Sequence, residues 1–187
     1  MQQRRSRRCL VMCIAVGVLA LGAVTRVTNS AQAANGNGPY SATPSWDQKR
    51  PAATRFIVLT DWDGKAVLDR ETGLVWERSS NQPARTWSEV KFECLDKNVG
   101  GRTGWRLPAI AEVLSLVDRT VSSPGPTVPP DHPFGVKSAS YWSATTHAED
   151  PTNAWVVNFS NGAVGVDSKT LSRTGWCVRG GMNADQY

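Results

Sequence analysis

Four short signatures run in order through the C-terminal half of this 187-residue chain. They are Trp105-Arg106-Leu107-Pro108, Tyr141-Trp142-Ser143, the pair Asn161-Gly162, and Trp176-Cys177-Val178-Arg179. Together they constrain the fold more than any other feature, because the eight tryptophans of so short a chain must find a common packing. Large aromatics, a tight turn and a late cysteine describe a small exported domain built for shape. No set of reactive groups accompanies them.

The N-terminus reads as an export signal. Arg4, Arg5, Arg7 and Arg8 precede an apolar stretch from Cys9 to Val24, and Ala31-Gln32-Ala33 offers a small-residue cleavage site. The stretch is shorter than the roughly 20 residues of a bilayer-spanning helix. If uncleaved, it is the one membrane contact expected. Arginine pairs occur in ordinary signals and in twin-arginine signals alike, so the export route stays open. Residues 1–33 carry five of the 21 basic residues and no acidic ones, which leaves the mature chain with 16 of each sign. The basic pI of about 9.3 therefore belongs to the precursor. Without a net positive charge the case for a nucleic-acid partner lapses.

Cys9 and Cys13 leave with the signal, so Cys94 and Cys177 remain. An even pair in an exported chain favours a disulfide over two buried thiols. The 154 residues after the signal suffice for one domain with a real core.

Residues 34–54, rich in Asn, Gly and Pro, read as a flexible leader, residues 55–181 as the domain and residues 182–187 as a tail. Phe56–Leu59 has strand composition, and Asp61-Trp62-Asp63-Gly64 reads as a turn that lacks the remaining ligands of a calcium loop. Ala66–Asp69 and Leu74–Glu77 flank Gly73 as a hairpin. Thr86 and Glu89 predict a capping box. Behind it Trp87, Val90, Cys94 and Leu95 share one face of a first helix. A second helix follows Pro108, with Ile110, Val113, Leu114 and Val117 as its apolar stripe. Residues 121–137 hold five prolines and no periodicity, a loop that is either functional or poorly ordered, with Phe134 as a pin to the core. Further strands are expected at 139–144, 154–159, 163–167 and 175–178, the middle pair joined by a type I′ turn at Asn161-Gly162.

These residues resemble the Lcl C-terminal domain family, a bacterial extracytoplasmic family without an assigned function. The matching positions are Asp69-x-x-Thr72-Gly73-Leu74-x-Trp76, Trp87 to Cys94, Gly104-Trp105-Arg106-Leu107-Pro108 with Glu112, and Tyr141-Trp142-Ser143. Ala154-Trp155-x-Val157-x-Phe159 with Gly162, and Cys177-Val178-Arg179-Gly180, complete the set over residues 65–181. The resemblance implies an α+β, C-type-lectin-like fold related to the sulfatase-modifying (formylglycine-generating) enzymes. Two helices pack on short, mostly antiparallel sheets with long loops, and the late cysteine bridges to the first helix. Ala109 departs from the pattern where the family has Thr or Ser as a helix cap, a loss of about 1 kcal/mol.

Catalysis finds little footing. His132 and His147 are the only neutral-pH bases, neither is near a candidate nucleophile in sequence, and no nucleophile elbow, zinc pair or phosphate loop occurs. The enzymes of the related fold need reactive cysteines, whereas these two are assigned to a bridge. No cofactor is expected. Asp131-His132 and Glu149-Asp150 with Asn153 offer oxygen ligands for calcium, but solvated loop charge is the better account of them. Trp62, Tyr141, Trp142 and Trp155 are candidates for stacking on sugar rings, Trp62 being the one expected at the surface. Arg106 and Arg179, beside core aromatics, are expected to make structural hydrogen bonds. The reading is of a noncatalytic exported domain, periplasmic or secreted, that holds a glycan or envelope protein with its proline-rich loop and its 145–153 loop. Trp62, Asp131, His132, Glu149, Asp150 and Asn153 are the candidate contacts. The alternatives are a structural component of an envelope complex and a formylglycine-generating-like enzyme.

Overall fold

Seven short strands form two antiparallel sheets in the computed structural model, which describes residues 50–80 and 82–181. The segments read as signal and tail, and the part read as leader up to residue 49, lie outside the described residues. A one-turn helix α1 (Ala52–Arg55) leads directly into β1 (Phe56–Val58), so regular structure begins inside the segment read as leader. The hairpin β2 (Ala66–Asp69) and β3 (Val75–Glu77) follows, closed by Gly73 at φ 73°. Helix α2 (Trp87–Asp96) and the short α3 (Ile110–Leu114) precede β4 (Ser140–Thr146), β5 (Asn153–Asn158) and β6 (Ala163–Ser168), and β7 (Val178–Arg179) ends the fold. The first sheet runs β1-β2-β3-β7 and the second β4-β5-β6. The architecture is α+β, with few helices and two small antiparallel sheets. No described helix is long and apolar enough to cross a membrane.

Both sheets bury side chains on either face, because successive strand residues point to opposite sides. Val67, Trp76, Tyr141, Val157 and Trp176 belong to one core cluster, while Leu68, Val75, Trp142, Val156 and Cys177 belong to another. Trp176 centres the first: Phe134, Trp76, Phe159 and Tyr141 have ring centroids 5.0, 5.3, 5.8 and 5.9 Å away. Such pairs add about 0.5–1.5 kcal/mol each beyond area burial. The second cluster holds the disulfide, Cys94 of α2 to Cys177 beside β7, with Cα atoms 5.4 Å apart. The sulfurs meet as the cysteine count and the family resemblance implied.

Local rules account for most elements. Glu89 Oε2 accepts from the Thr86 backbone N–H at 2.9 Å and the Thr86 hydroxyl at 2.6 Å, which fixes the start of α2. At α3, Ala109 has no hydroxyl to offer. Glu112 accepts the Ala109 N–H at 2.8 Å, and Thr145 Oγ1 of β4 accepts the Ile110 N–H at 3.0 Å. A neighbouring strand thus satisfies the first free backbone donor of α3.

Four expectations need correction. Trp62, expected at the surface, is 2% exposed, its ring edge-on to Trp105 at 6.4 Å. Leu95 is 54% exposed, because α2 presents only a narrow stripe of Val90 and Cys94 to the core. The second helix stops at Leu114, with Leu116 and Val117 bonded three residues back instead of four. Gly162 has φ 72° but Asn161 does not share a positive φ, so the β5–β6 turn is not type I′. The buried Phe159 draws the chain into the core and lengthens the connection to residues 159–162. The proline-rich loop is neither loose nor free. Phe134 is buried, and the Thr127 N–H donates to the Phe159 carbonyl at 2.8 Å.

Candidate functional site

A cleft of about 500 Å³ opens where the first sheet, the end of α2 and the proline-rich loop converge. Gly64-Lys65 and Glu77-Arg78-Ser79 form one wall, Asn98-Val99 a second and Pro133-Phe134-Gly135 a third. The size lies within the range of small-molecule sites. Val99, Pro133 and Phe134 supply apolar surface, while Lys65, Arg78, Ser79 and Asn98 bring hydrogen-bonding groups to it.

Arg78 clamps the walls together. Its Nη1 donates to the Gly64 carbonyl and its Nε to the Pro133 carbonyl, each at 3.2 Å. Its own carbonyl accepts the Gly135 N–H at 2.8 Å. Trp62 braces the site from beneath, its carbonyl accepting the Lys65 N–H at 3.0 Å. Gly100, just past Val99, lies so close to Trp62 that a Cβ there would sit 2.5 Å from the Trp62 Cβ. Arg102 and Arg179 each lie 5.5 Å from the Trp62 ring centroid, and Arg179 Nε donates to the Thr103 carbonyl at 2.7 Å.

Glu77 is the one carboxyl lining the cleft. Lys97 Nζ donates to both of its oxygens, at 2.8 and 3.0 Å, and the indole N–H of Trp176 donates to its carbonyl at 2.7 Å. Burial pushes its pKa above the ordinary 4.5, against the pull of Lys97. A carboxylate engaged by an ammonium on both oxygens is a weak candidate for a general base.

The residues singled out from sequence divide between this cleft and a second region. His132 stands beside it, half-buried, its Nδ1 accepting the Phe134 N–H at 3.1 Å and its ring stacked on Phe134 at 5.9 Å. Burial lowers its pKa, so the ring is neutral at pH 7. Asp131 is exposed at φ 64°. Glu149 and Asp150 lie on the β4–β5 connection and Asn153 opens β5, and none of the three lines the cleft. There Asp150 accepts from Thr152 N–H and hydroxyl at 3.0 and 2.6 Å, and from Asn153 Nδ2 at 2.9 Å. The Thr152 bonds hold its carboxyl below the usual range. Those bonds serve the loop's own geometry. Among the described residues no group of three or more His, Cys, Asp or Glu is placed to hold a metal ion.

The same connection is tied down by Lys169, whose Nζ donates to Thr146 Oγ1 and the Pro151 carbonyl, both at 2.9 Å, and sits 4.2 Å from the Trp87 ring centroid. Of the sugar-stacking candidates, Trp62, Tyr141 and Trp142 are buried, and Trp155 alone is half-exposed, 5.5 Å from the His147 ring. Arg106 makes the structural contacts expected of it, to Glu112 and the Gly180 carbonyl. Sequence reasoning missed Lys65, Glu77, Arg78, Lys97 and Asn98. A charge at the end of a strand, as in Glu77-Arg78 after Trp76, was the only available signal.

No curated protein matches the chain. The sequence profile of the Lcl C-terminal domain matches residues 65–179, from the cleft's first wall through α2 and the aromatic core to β7. A buried disulfide between two elements suits an oxidising, extracytoplasmic setting. With its cysteines, core aromatics and profile in agreement, the chain belongs to the Lcl C-terminal domain family.

Proposed function

We propose that this chain is an exported, noncatalytic recognition domain of the periplasm or cell exterior, and that it holds a glycan in the cleft beside the proline-rich loop. The observation that carries the reading is the cleft's composition, an apolar floor of Val99, Pro133 and Phe134 rimmed by Lys65, Arg78, Ser79 and Asn98. A sugar ring has one apolar face and a belt of hydroxyls, and such a surface complements both. The resemblance implies a C-type-lectin-like relation, which favours recognition, and the disulfide from α2 to the residue before β7 and the two small sheets are in keeping with it. Catalysis is disfavoured because both cysteines are bonded to each other and Glu77 is engaged by Lys97. No calcium requirement is expected, since Asp150 spends its oxygens on Thr152 and Asn153.

An unbiased glycan array, run with calcium and with chelator, tests the reading. Binding that is calcium-independent and falls at least about tenfold in Lys65→Ala and Asn98→Ala supports it. Binding untouched by both variants, or cleavage of the bound glycan, contradicts it. Sulfated polymers with a salt titration belong in the same screen, because a steep salt dependence would assign affinity to surface cations instead.

A second reading, a structural part of an envelope assembly, draws on Phe92 and Leu95 of α2, which are 70% and 54% exposed. An empty array together with a co-purifying protein lost in Phe92→Ser would favour it.

A further inference from the structure

β6 is the outer strand of the second sheet. Its hydrogen-bond parity follows from the Lys169 N–H, which donates to the Thr152 carbonyl at 3.0 Å. With Ala154 opposite Asp167, Val156 opposite Gly165 and Asn158 opposite Ala163, residues 163, 165 and 167 turn their N–H and C=O groups toward β5. Val164 and Val166 turn theirs outward. Among the described residues no backbone partner meets those four groups.

The edge also lacks the usual protection. Strands that must stay single carry lysine, proline or an unpaired inward charge. β6 reads Ala-Val-Gly-Val-Asp-Ser, and its one charge, Asp167, is held by Arg173 at 2.7 Å. The Val164 and Val166 side chains share a face with Val157 and Trp155, their cross-strand partners, and Val164 is 38% exposed.

We infer that a second copy of this chain docks on this edge, β6 antiparallel to β6 about a two-fold axis at Gly165, so that the three-stranded sheet becomes six-stranded. The occupant follows from self-complementarity. In that register Val164 faces Val166 of the second copy, and the reverse, so all four outward groups are paired. Gly165 faces its own counterpart with no side chain to crowd the closer, non-hydrogen-bonded position. Asp167 faces Ala163, and no like charges meet. The valines of both copies form one apolar row continuing Trp155. A foreign strand would satisfy the same groups in no fixed register. One strand pair buries less than a standard interface, so the dimer is reversible and concentration-dependent.

Sedimentation velocity on the intact protein, from micromolar to millimolar, reads the association. Val166→Pro removes an outward donor at an edge position where proline is tolerated, and Val164→Lys adds a charge to each copy. Each is expected to weaken dimerisation by at least about tenfold with unchanged circular dichroism. Gly165→Cys supplies a positive reading: its added Cβ meets only Val156, at 3.7 Å, and the two thiols would face each other within disulfide reach. Air oxidation should link Gly165→Cys into a covalent dimer and leave Ala163→Cys unlinked, since that residue would lie about 13 Å from its counterpart. A protein monomeric at every concentration and not linked through Gly165→Cys overturns the inference. A dimer that persists in both Val166→Pro and Val164→Lys overturns it equally.

Discussion

Arg106 and Glu112 meet through two hydrogen bonds of 2.6 Å, and the same carboxylate accepts the Ala109 N–H at the start of α3. One glutamate thus neutralises a buried guanidinium and caps a helix. Removing a single partner strands a charge, so Arg106→Ala should lower stability by about 3–5 kcal/mol in a denaturant titration. Glu77 makes a different prediction. Its folded pKa lies above 4.5 because of burial, so protonation costs less in the folded chain than in the unfolded one. The stability it contributes is complete below that value and is lost as pH rises through the folded pKa. Compared with the Glu77→Gln variant, the wild-type protein should lose stability as pH climbs from 4.5, as read by denaturant midpoints along a pH series. At this scale the sequence was readable where chemistry forces a partner, as for Arg106, Cys94 and Cys177. It misled for Trp62, because two flanking aspartates suggest solvent, whereas the ring turns inward against Trp105 while Asp61 and Asp63 stay exposed.

Elements were legible wherever a local rule decides them. The Thr86–Glu89 box fixes α2, and Thr86→Ala should cost about 1 kcal/mol, measurable as a lowered melting temperature. β2, β3, β4, β5 and β6 follow from β-branched and aromatic runs between turns. Elements were misread where tertiary packing overrides the rule. Val117 continues a helical stripe by spacing, yet its turn is tightened after Leu114, and the neighbouring Asp118 N–H donates to the Thr127 carbonyl. Phe159 extends an apparent strand but is claimed by Trp176 and Tyr141, which reshapes the β5–β6 turn. Gly100 shows the same dependence on distant contacts, sitting at φ 58° against Trp62. Gly100→Ala should cost about 1–3 kcal/mol through the clash and the positive φ. The cleft wall at Asn98-Val99 should loosen with it, seen as faster amide exchange there.

Across the whole molecule, two core clusters and one covalent tie hold the sheets and helices together. The cleft could not be read from sequence, because its walls come from residues 64–65, 77–79, 98–99 and 133–135, which only the folded chain assembles. The tie was legible, because the domain read from the sequence holds two cysteines and helical spacing aims Cys94 inward. It closes a loop of 83 residues, worth about 4–5 kcal/mol in the chain-entropy model. Its consequence for the proposed role is direct: sulfurs bound to each other hold α2 against the start of β7 and are not free thiols. Mass spectrometry of the purified protein, alkylated and digested without reduction, tests that directly. The expected product is one cross-linked peptide pair joining Cys94 to Cys177, whereas both cysteines recovered as separate alkylated peptides would contradict the scaffold and return the chain to the candidates for thiol catalysis.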